Sequence, residues 1–149
     1  MKKHIYTGLF LLGMFSVSAQ NKETAKADKH FDNLEYVDAI SEYLEVIEDG
    51  HGDDYVYGRL ADTYYNVFNT TAAAEWYEKA VANTPNAEQY FRYAQMLKAN
   101  GKYKASNTQM NEFAVASPKD ARAKAFIANP NYLDKILARP NKVRSEEHT

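Results

Sequence analysis

Tyr57-Gly58-Arg59-Leu60-Ala61-Asp62-Thr63-Tyr64-Tyr65, followed after a polar turn at Asn69-Thr70-Thr71 by Ala72-Ala73-Ala74-Glu75-Trp76-Tyr77-Glu78-Lys79-Ala80-Val81 and closed by Pro85, is the stretch that decides the fold. Leu60, Ala61 and Tyr64 in its first half, and Trp76, Tyr77, Ala80 and Val81 in its second, recur at three- and four-residue spacing. That spacing is the stripe of an amphipathic helix, and the alternation of a strand is missing. Two such helices joined by turn residues form a pair that cannot bury its stripes alone, so it needs neighbours of the same kind.

Working outward, the neighbours are found at a nearly constant offset. The small residues Ala39, Ala73 and Ser106 stand 34 and then 33 positions apart, and Pro85 and Pro118 stand 33 apart. The first segment carries the same stripe in Ala39, Ile40, Tyr43, Leu44, Val46 and Ile47. A period of about 34 residues built from two helices, with small residues where helices approach and a proline after the second, is a repeat pattern with a specific architecture. Helices are expected at about 23 to 33, 36 to 48, 54 to 67, 71 to 83, 87 to 99 and 103 to 115. Asp53-Asp54 and Pro85-Asn86 provide capping groups at two of the starts, and Gly101 marks a turn. Asp120 to Ala128 reads as one more helix that covers the last pair, broken by Asn129-Pro130-Asn131 before a short turn at 132–137.

Position by position, the chain resembles the tetratricopeptide-repeat family. Tyr57, Leu60, Ala61, Tyr64, Ala73, Tyr77, Ala80 and Pro85 match its pattern in the second copy. The third offers Tyr90, Tyr93, Ala94, Leu97, Gly101, Tyr103, Ser106, Met110, Phe113 and Pro118. The first is weaker, with Ala27, Phe31, Tyr36, Ala39, Tyr43 and Val46, His30 where an aromatic is usual, and no closing proline. The resemblance implies an all-α solenoid of about three helix pairs, over 20–52, 54–86 and 87–119, plus a C-terminal capping helix and turn over 120–138.

Both ends are expected to lie outside that fold. Lys2, Lys3 and His4, the apolar run from Ile5 to Phe15 and the small residues Val17-Ser18-Ala19 have the form of an export signal over 1–19, too short to span a bilayer. The mature chain is expected to begin at Gln20, with no membrane span after cleavage. Residues 139–149 are expected to be unstructured. The last six, Arg144-Ser145-Glu146-Glu147-His148-Thr149, are what the opening of a common sequencing adapter encodes, and are set aside as such a scar.

Composition narrows the function. Lys and Arg number 18 against 20 Asp and Glu, a net charge of -2, which gives no basic excess for a phosphate backbone and argues against nucleic acid as a partner. Without any cysteine there are no disulfides, thiolate metal sites or thiol nucleophiles. His4, His30, His51 and His148 show no ligand spacing, and His51-Gly52-Asp53-Asp54, the one local cluster of ligand types in the sequence, is accounted for by a turn and a helix cap. Ser41, Ser106 and Ser117 have no histidine partner. Gly50, Gly52, Gly58 and Gly101 are too scattered for a phosphate loop, and Glu42, Glu45 and Glu48 belong on a solvated face. No catalytic residue, metal or cofactor is expected, and the twelve tyrosines are expected mostly in the repeat core.

What remains is the surface formed by the first helix of each pair. Helical spacing projects Tyr55, Asp62, Tyr65, Asn66, Phe91, Gln95 and Lys98 there, a mixed aromatic and polar face suited to a protein or peptide, or to packing against another envelope domain of a full-length chain. Some tetratricopeptide proteins clamp a carboxyl terminus with Lys and Asn. Here the corresponding positions carry Gly58, Asp62, Glu88 and Phe91, so that clamp is not expected.

Together with the leader, the phrases Tyr57 to Tyr65 and Arg92-Tyr93-Ala94-Gln95-Met96-Leu97-Lys98-Ala99-Asn100-Gly101 also resemble the amino-terminal part of OmpA-like, peptidoglycan-associated outer-membrane proteins of Gram-negative bacteria. The resemblance implies an exported envelope scaffold in the periplasm or outer membrane, whose wall-binding domain would follow the residues given. The alternative is a stand-alone periplasmic peptide-binding adaptor.

Overall fold

The computed structural model describes residues 22–130 together with Tyr132, Lys135 and Ala138. The expected leader at 1–19 and the tail at 139–149 lie outside the described residues. Among the described residues seven helices follow in order: α1 Ala25–Asp32, α2 Tyr36–Glu48, α3 Asp54–Asn66, α4 Thr70–Ala80, α5 Ala87–Ala99, α6 Tyr103–Ala116 and α7 Ala121–Ala128. Among the described residues there is no strand, and the chain is all-α as its periodicity predicts. No described helix is long and apolar enough to cross a membrane. Each helix packs chiefly on the helices before and after it in sequence.

The helix starts show the local physics plainly. Asp53 accepts the Val56 N–H at 2.9 Å and caps α3. Asn86 and Gln89 exchange side-chain and backbone hydrogen bonds in a capping box that opens α5, at 3.0 and 2.9 Å. Asp120 caps α7 through the Arg122 N–H at 2.7 Å. Each satisfies donors that the first turn leaves free. Helix α4 ends at Ala80, three residues short of the sequence expectation. Beyond its cap at Val81, Asn83 and Thr84 turn aside to donate to the Asp54 carboxylate, both at 2.8 Å. The pull of those hydrogen bonds on Asp54 holds its carboxyl below the usual range.

The turns inside the pairs repeat one geometry. Leu34, Phe68 and Gly101 all adopt left-handed backbone, with φ of 65°, 58° and 73°. The following amide in each case bonds back five residues, Glu35 to His30, Asn69 to Tyr64 and Lys102 to Leu97, at 2.8 to 2.9 Å. This is the Schellman closure, which favours glycine. Leucine and phenylalanine occupy it in the first two turns, with their side chains 69% and 75% exposed. Asn100 ties the second and third turns together, donating to the Thr70 carbonyl at 3.0 Å and accepting from the Thr70 hydroxyl at 2.6 Å.

The core follows the sequence stripe. Ala27, Ala39, Tyr43, Val46, Val56 and Leu60 form one cluster, and Ala61, Ala73, Ala74, Tyr77, Tyr93, Met96 and Leu97 a second. A smaller third joins Phe113, Ala114 and Ala123. The three small residues that set the period, Ala39, Ala73 and Ser106, are all buried. Ser106 also donates its hydroxyl to the Ala94 carbonyl at 2.7 Å, so a polar group is satisfied at the helix contact. The tyrosines fit the expectation less well. Among the described ones only Tyr43, Tyr77 and Tyr93 are buried, while Tyr64, Tyr65 and Tyr90 pack at the cluster edges.

Candidate binding groove

The largest departure from a purely apolar seam is a polar lock between the first and second helix pairs. Asp28, on α1, is 1% exposed. It accepts hydrogen bonds from the Tyr43 hydroxyl on α2 at 2.5 Å, the Tyr55 hydroxyl on α3 at 2.8 Å and the Thr24 hydroxyl at 2.8 Å. Arg59 of α3 adds its charge, donating Nε to Asp28 at 3.3 Å and to Tyr43 at 3.1 Å, and Nη2 to Asp32 at 3.1 Å. The guanidinium lies 3.8 Å from the centre of the Phe31 ring. A buried carboxylate is tolerated only when its lone pairs are filled this fully.

A second lock closes the next junction with the same parts. Asp62 on α3 accepts from the Tyr77 hydroxyl on α4 at 2.5 Å and from Arg92 Nη1 on α5 at 2.9 Å, while the Arg92 guanidinium lies 5.1 Å from the Tyr65 ring. Asp62, Tyr65, Tyr77 and Arg92 stand 34, 34, 34 and 33 residues after Asp28, Phe31, Tyr43 and Arg59. Four side chains on three helices thus recur at the period of the helix pairs.

These groups are held in fixed protonation states. Burial opposes ionisation of Asp28, but the hydrogen bonds from Tyr43, Tyr55 and Thr24 and the Arg59 charge outweigh it, so its carboxyl stays below the usual range. Burial and then the bond to Asp28 push Tyr55 up to about 12. Burial also raises Tyr43 and Tyr77, reinforced in each by its aspartate. At neutral pH the aspartate at the centre of the first lock is ionised and the phenols are protonated, a state suited to fixing helices and not to passing protons.

The third junction, between α5, α6 and α7, is built differently. A groove of about 480 Å³ opens there. Its floor on α5 includes Phe91, Gln95 and Lys98; Ser106 and Met110 of α6 and Phe126 of α7 form walls, and Pro130 and Tyr132 lie at one end. Arg122 of α7 lies beside this junction, 4.1 Å from the Phe91 ring and 5.0 Å from Phe113, and pairs with Glu88 and Asp120, each at 2.9 Å. Hydrogen bonds from Arg122 bring the Asp120 carboxyl down to about 2.

The seven residues expected on one binding face therefore separate into two groups of three, with Asn66 in neither. Phe91, Gln95 and Lys98 meet at the groove. Tyr55, Asp62 and Tyr65 belong to the locks, their polar atoms or ring faces already engaged. Asn66 is exposed at the end of α3. Sequence spacing put them on a common helix face but could not register which were spoken for by the next helix. The lock itself had a signal, the 33- to 34-residue recurrence of Asp, aromatic, Tyr and Arg.

One set of ligand-type atoms gathers elsewhere. His30, Glu35 and Asp38, at the turn from α1 to α2, bring such atoms within 4.8 Å of one another. His30 and Glu35 are already paired at 2.6 Å, which accounts for their approach. Linear spacing missed this cluster because the left-handed turn at Leu34 folds α2 back toward α1. His51-Gly52-Asp53-Asp54 supplies the cap and turn contacts described above.

No protein-family model matches the chain, and a search of curated proteins finds no match.

Proposed function

We propose that this chain is a non-catalytic scaffold of the Gram-negative envelope, a tetratricopeptide solenoid that acts by holding a protein or peptide. In this reading it forms the amino-terminal part of an OmpA-like outer-membrane protein and is exported by its leader. The observation that carries the binding role is the groove at the third junction, where Phe91, Gln95 and Lys98 come together beside an apolar cleft of about 480 Å³. The recurrence of the lock at the period of the helix pairs supports the solenoid, since a repeated seam is what stacked copies of one unit require.

The test is site-specific photo-crosslinking in a Gram-negative host. A photoreactive residue at position 95 should capture a discrete envelope protein, while the same residue at the exposed Glu75 position should capture none. Equal capture at both positions would remove the binding assignment. Fractionation then decides the setting: an outer-membrane location, with an OmpA-like domain in the extended reading frame, supports the scaffold. The stand-alone adaptor is the second reading, favoured by a groove whose described lining lies within a single helical unit, and it requires the protein in the soluble periplasmic fraction.

A further inference from the structure

The third junction occupies the place of a third lock, and every member of that lock is changed. Thirty-three residues beyond Asp62, Tyr65, Tyr77 and Arg92 stand Gln95, Lys98, Met110 and Ala125. All four line the groove. A neutral amide replaces the carboxylate, an ammonium replaces the ring that carried a guanidinium, a thioether replaces the phenol, and a methyl group replaces the guanidinium. The long Tyr and Arg side chains that fill the first two junctions give way to Met and Ala, and the cleft opens where their atoms would lie. Arg122 does not fill it, because it sits three residues earlier on α7, held by Phe91, Glu88 and Asp120.

The electrostatics are inverted as well as the shape. In the first two junctions an aspartate on the floor receives a cation from two helices further on. In the third, Lys98 is the one charged residue among the described residues that line the groove, set among apolar, amide and hydroxyl groups. A segment lying there finds a cation where the other seams offer an acid and a ring. The matching ligand carries a carboxylate beside an apolar side chain, and a basic segment is repelled. Met110 and Phe126 add walls that adapt to an aliphatic or aromatic group.

The geometry points to the third junction as a docking subsite for a peptide that presents an aliphatic or aromatic side chain next to an acidic one. The assignment rests on the peptide-holding reading above and narrows it to one place and one chemistry. The two locked junctions are structural, and the lapse in the pattern is the site.

Isothermal titration calorimetry on the full chain provides the test, with two terminally blocked peptides of equal length that each contain Leu and Phe, one with two Glu and the other with two Lys. The Glu peptide is expected to bind at least about tenfold more tightly. Rebuilding the lock with Gln95→Asp, Met110→Tyr and Ala125→Arg should close the groove and weaken that binding by about tenfold or more. Lys98→Glu, at an exposed position that cannot disturb the core, should reverse the preference between the peptides. Binding that is undiminished in the rebuilt variant and unreversed by Lys98→Glu would overturn the subsite while leaving the peptide-holding reading intact. No binding by either peptide overturns the acidic-apolar chemistry, and the wider reading falls with it only if the cross-link at position 95 is also absent. A concentration-dependent dimer abolished by Lys98→Glu would assign the groove to a second copy of the chain and overturn the proposal.

Discussion

The junctions on either side of α3 and the junction at α7 use the same helix-pair scaffold for opposite ends. In the first two, an aspartate, a tyrosine, an aromatic ring and an arginine consume one another's polar capacity, and the seam is closed. In the third, Gln95, Lys98, Met110 and Ala125 leave an open cleft. Placing a carboxylate such as Asp28 in a helix seam costs desolvation, which is offset only when every lone pair finds a donor. Such a seam fixes the register of neighbouring helices. A seam without it is free to accept something else, and under the proposed function the contrast separates residues that hold the molecule together from residues offered to a partner.

The most damaging way to break that contrast is Asp28→Ala. It leaves the Tyr43 and Tyr55 hydroxyls and Arg59 without their common acceptor in a buried site, and should cost about 3 kcal/mol in urea unfolding. Gln95→Ala, the positional counterpart in the open junction, should cost less than about 1 kcal/mol. Equal losses would mean that the two junctions do not differ in the way described.

Acid should expose the same asymmetry. Because the folded protein holds the Asp28 carboxyl below its unfolded value, the unfolded chain binds the proton more readily, and the stability that Asp28 provides is present above the ordinary aspartate range near 4. It is lost as pH falls through the lower folded value. The stability difference between wild type and Asp28→Asn, followed by thermal melting, should therefore shrink as pH drops below about 4. A difference that stays constant down to pH 2 would show that the carboxylate charge is not what the lock uses.

A smaller effect is expected at Gly58, buried between the second and third pairs. A methyl group there would meet the Gln89 side-chain amide, which completes the capping box of α5. Gly58→Ala should cost about 1 kcal/mol by forcing that box open, and hydrogen exchange should rise first at the start of α5. The smallest change has the opposite sign. Phe68 sits in the left-handed turn position that Gly101 fills in the next pair, and its ring is largely exposed. Phe68→Gly should gain about 0.5 kcal/mol from relieved backbone strain, whereas Gly101→Ala should lose about 1 kcal/mol. A destabilised Phe68→Gly would mean that the exposed ring makes contacts worth more than the strain.

Much of this was legible in the chain of residues. The stripes at 36–48 and 87–99 coincide with α2 and α5, and Asp120 to Ala128 forms the expected last helix with Asp120 as its cap. Boundaries failed where a loop found a distant partner, as when Asn83 and Thr84 left α4 to bond Asp54. Of the face expected from spacing, Phe91, Gln95 and Lys98 line one groove. Helical geometry places Tyr55, Asp62 and Phe91 on first-helix faces, but whether a face is free depends on the side chains of the following helix, which periodicity does not register. Asp62, expected on the partner-binding face, is the centre of a seam.

The sequence by itself determined the all-helical class and the small residues at the helix contacts, because these follow from local apolar period and from which side chains leave room for close approach. Only the tertiary structure decided that Asp28 and Asp62 are locks and that the third junction is open. Each lock is a meeting of residues about 15 and 31 positions apart across three helices, and it exists only once those helices have stacked.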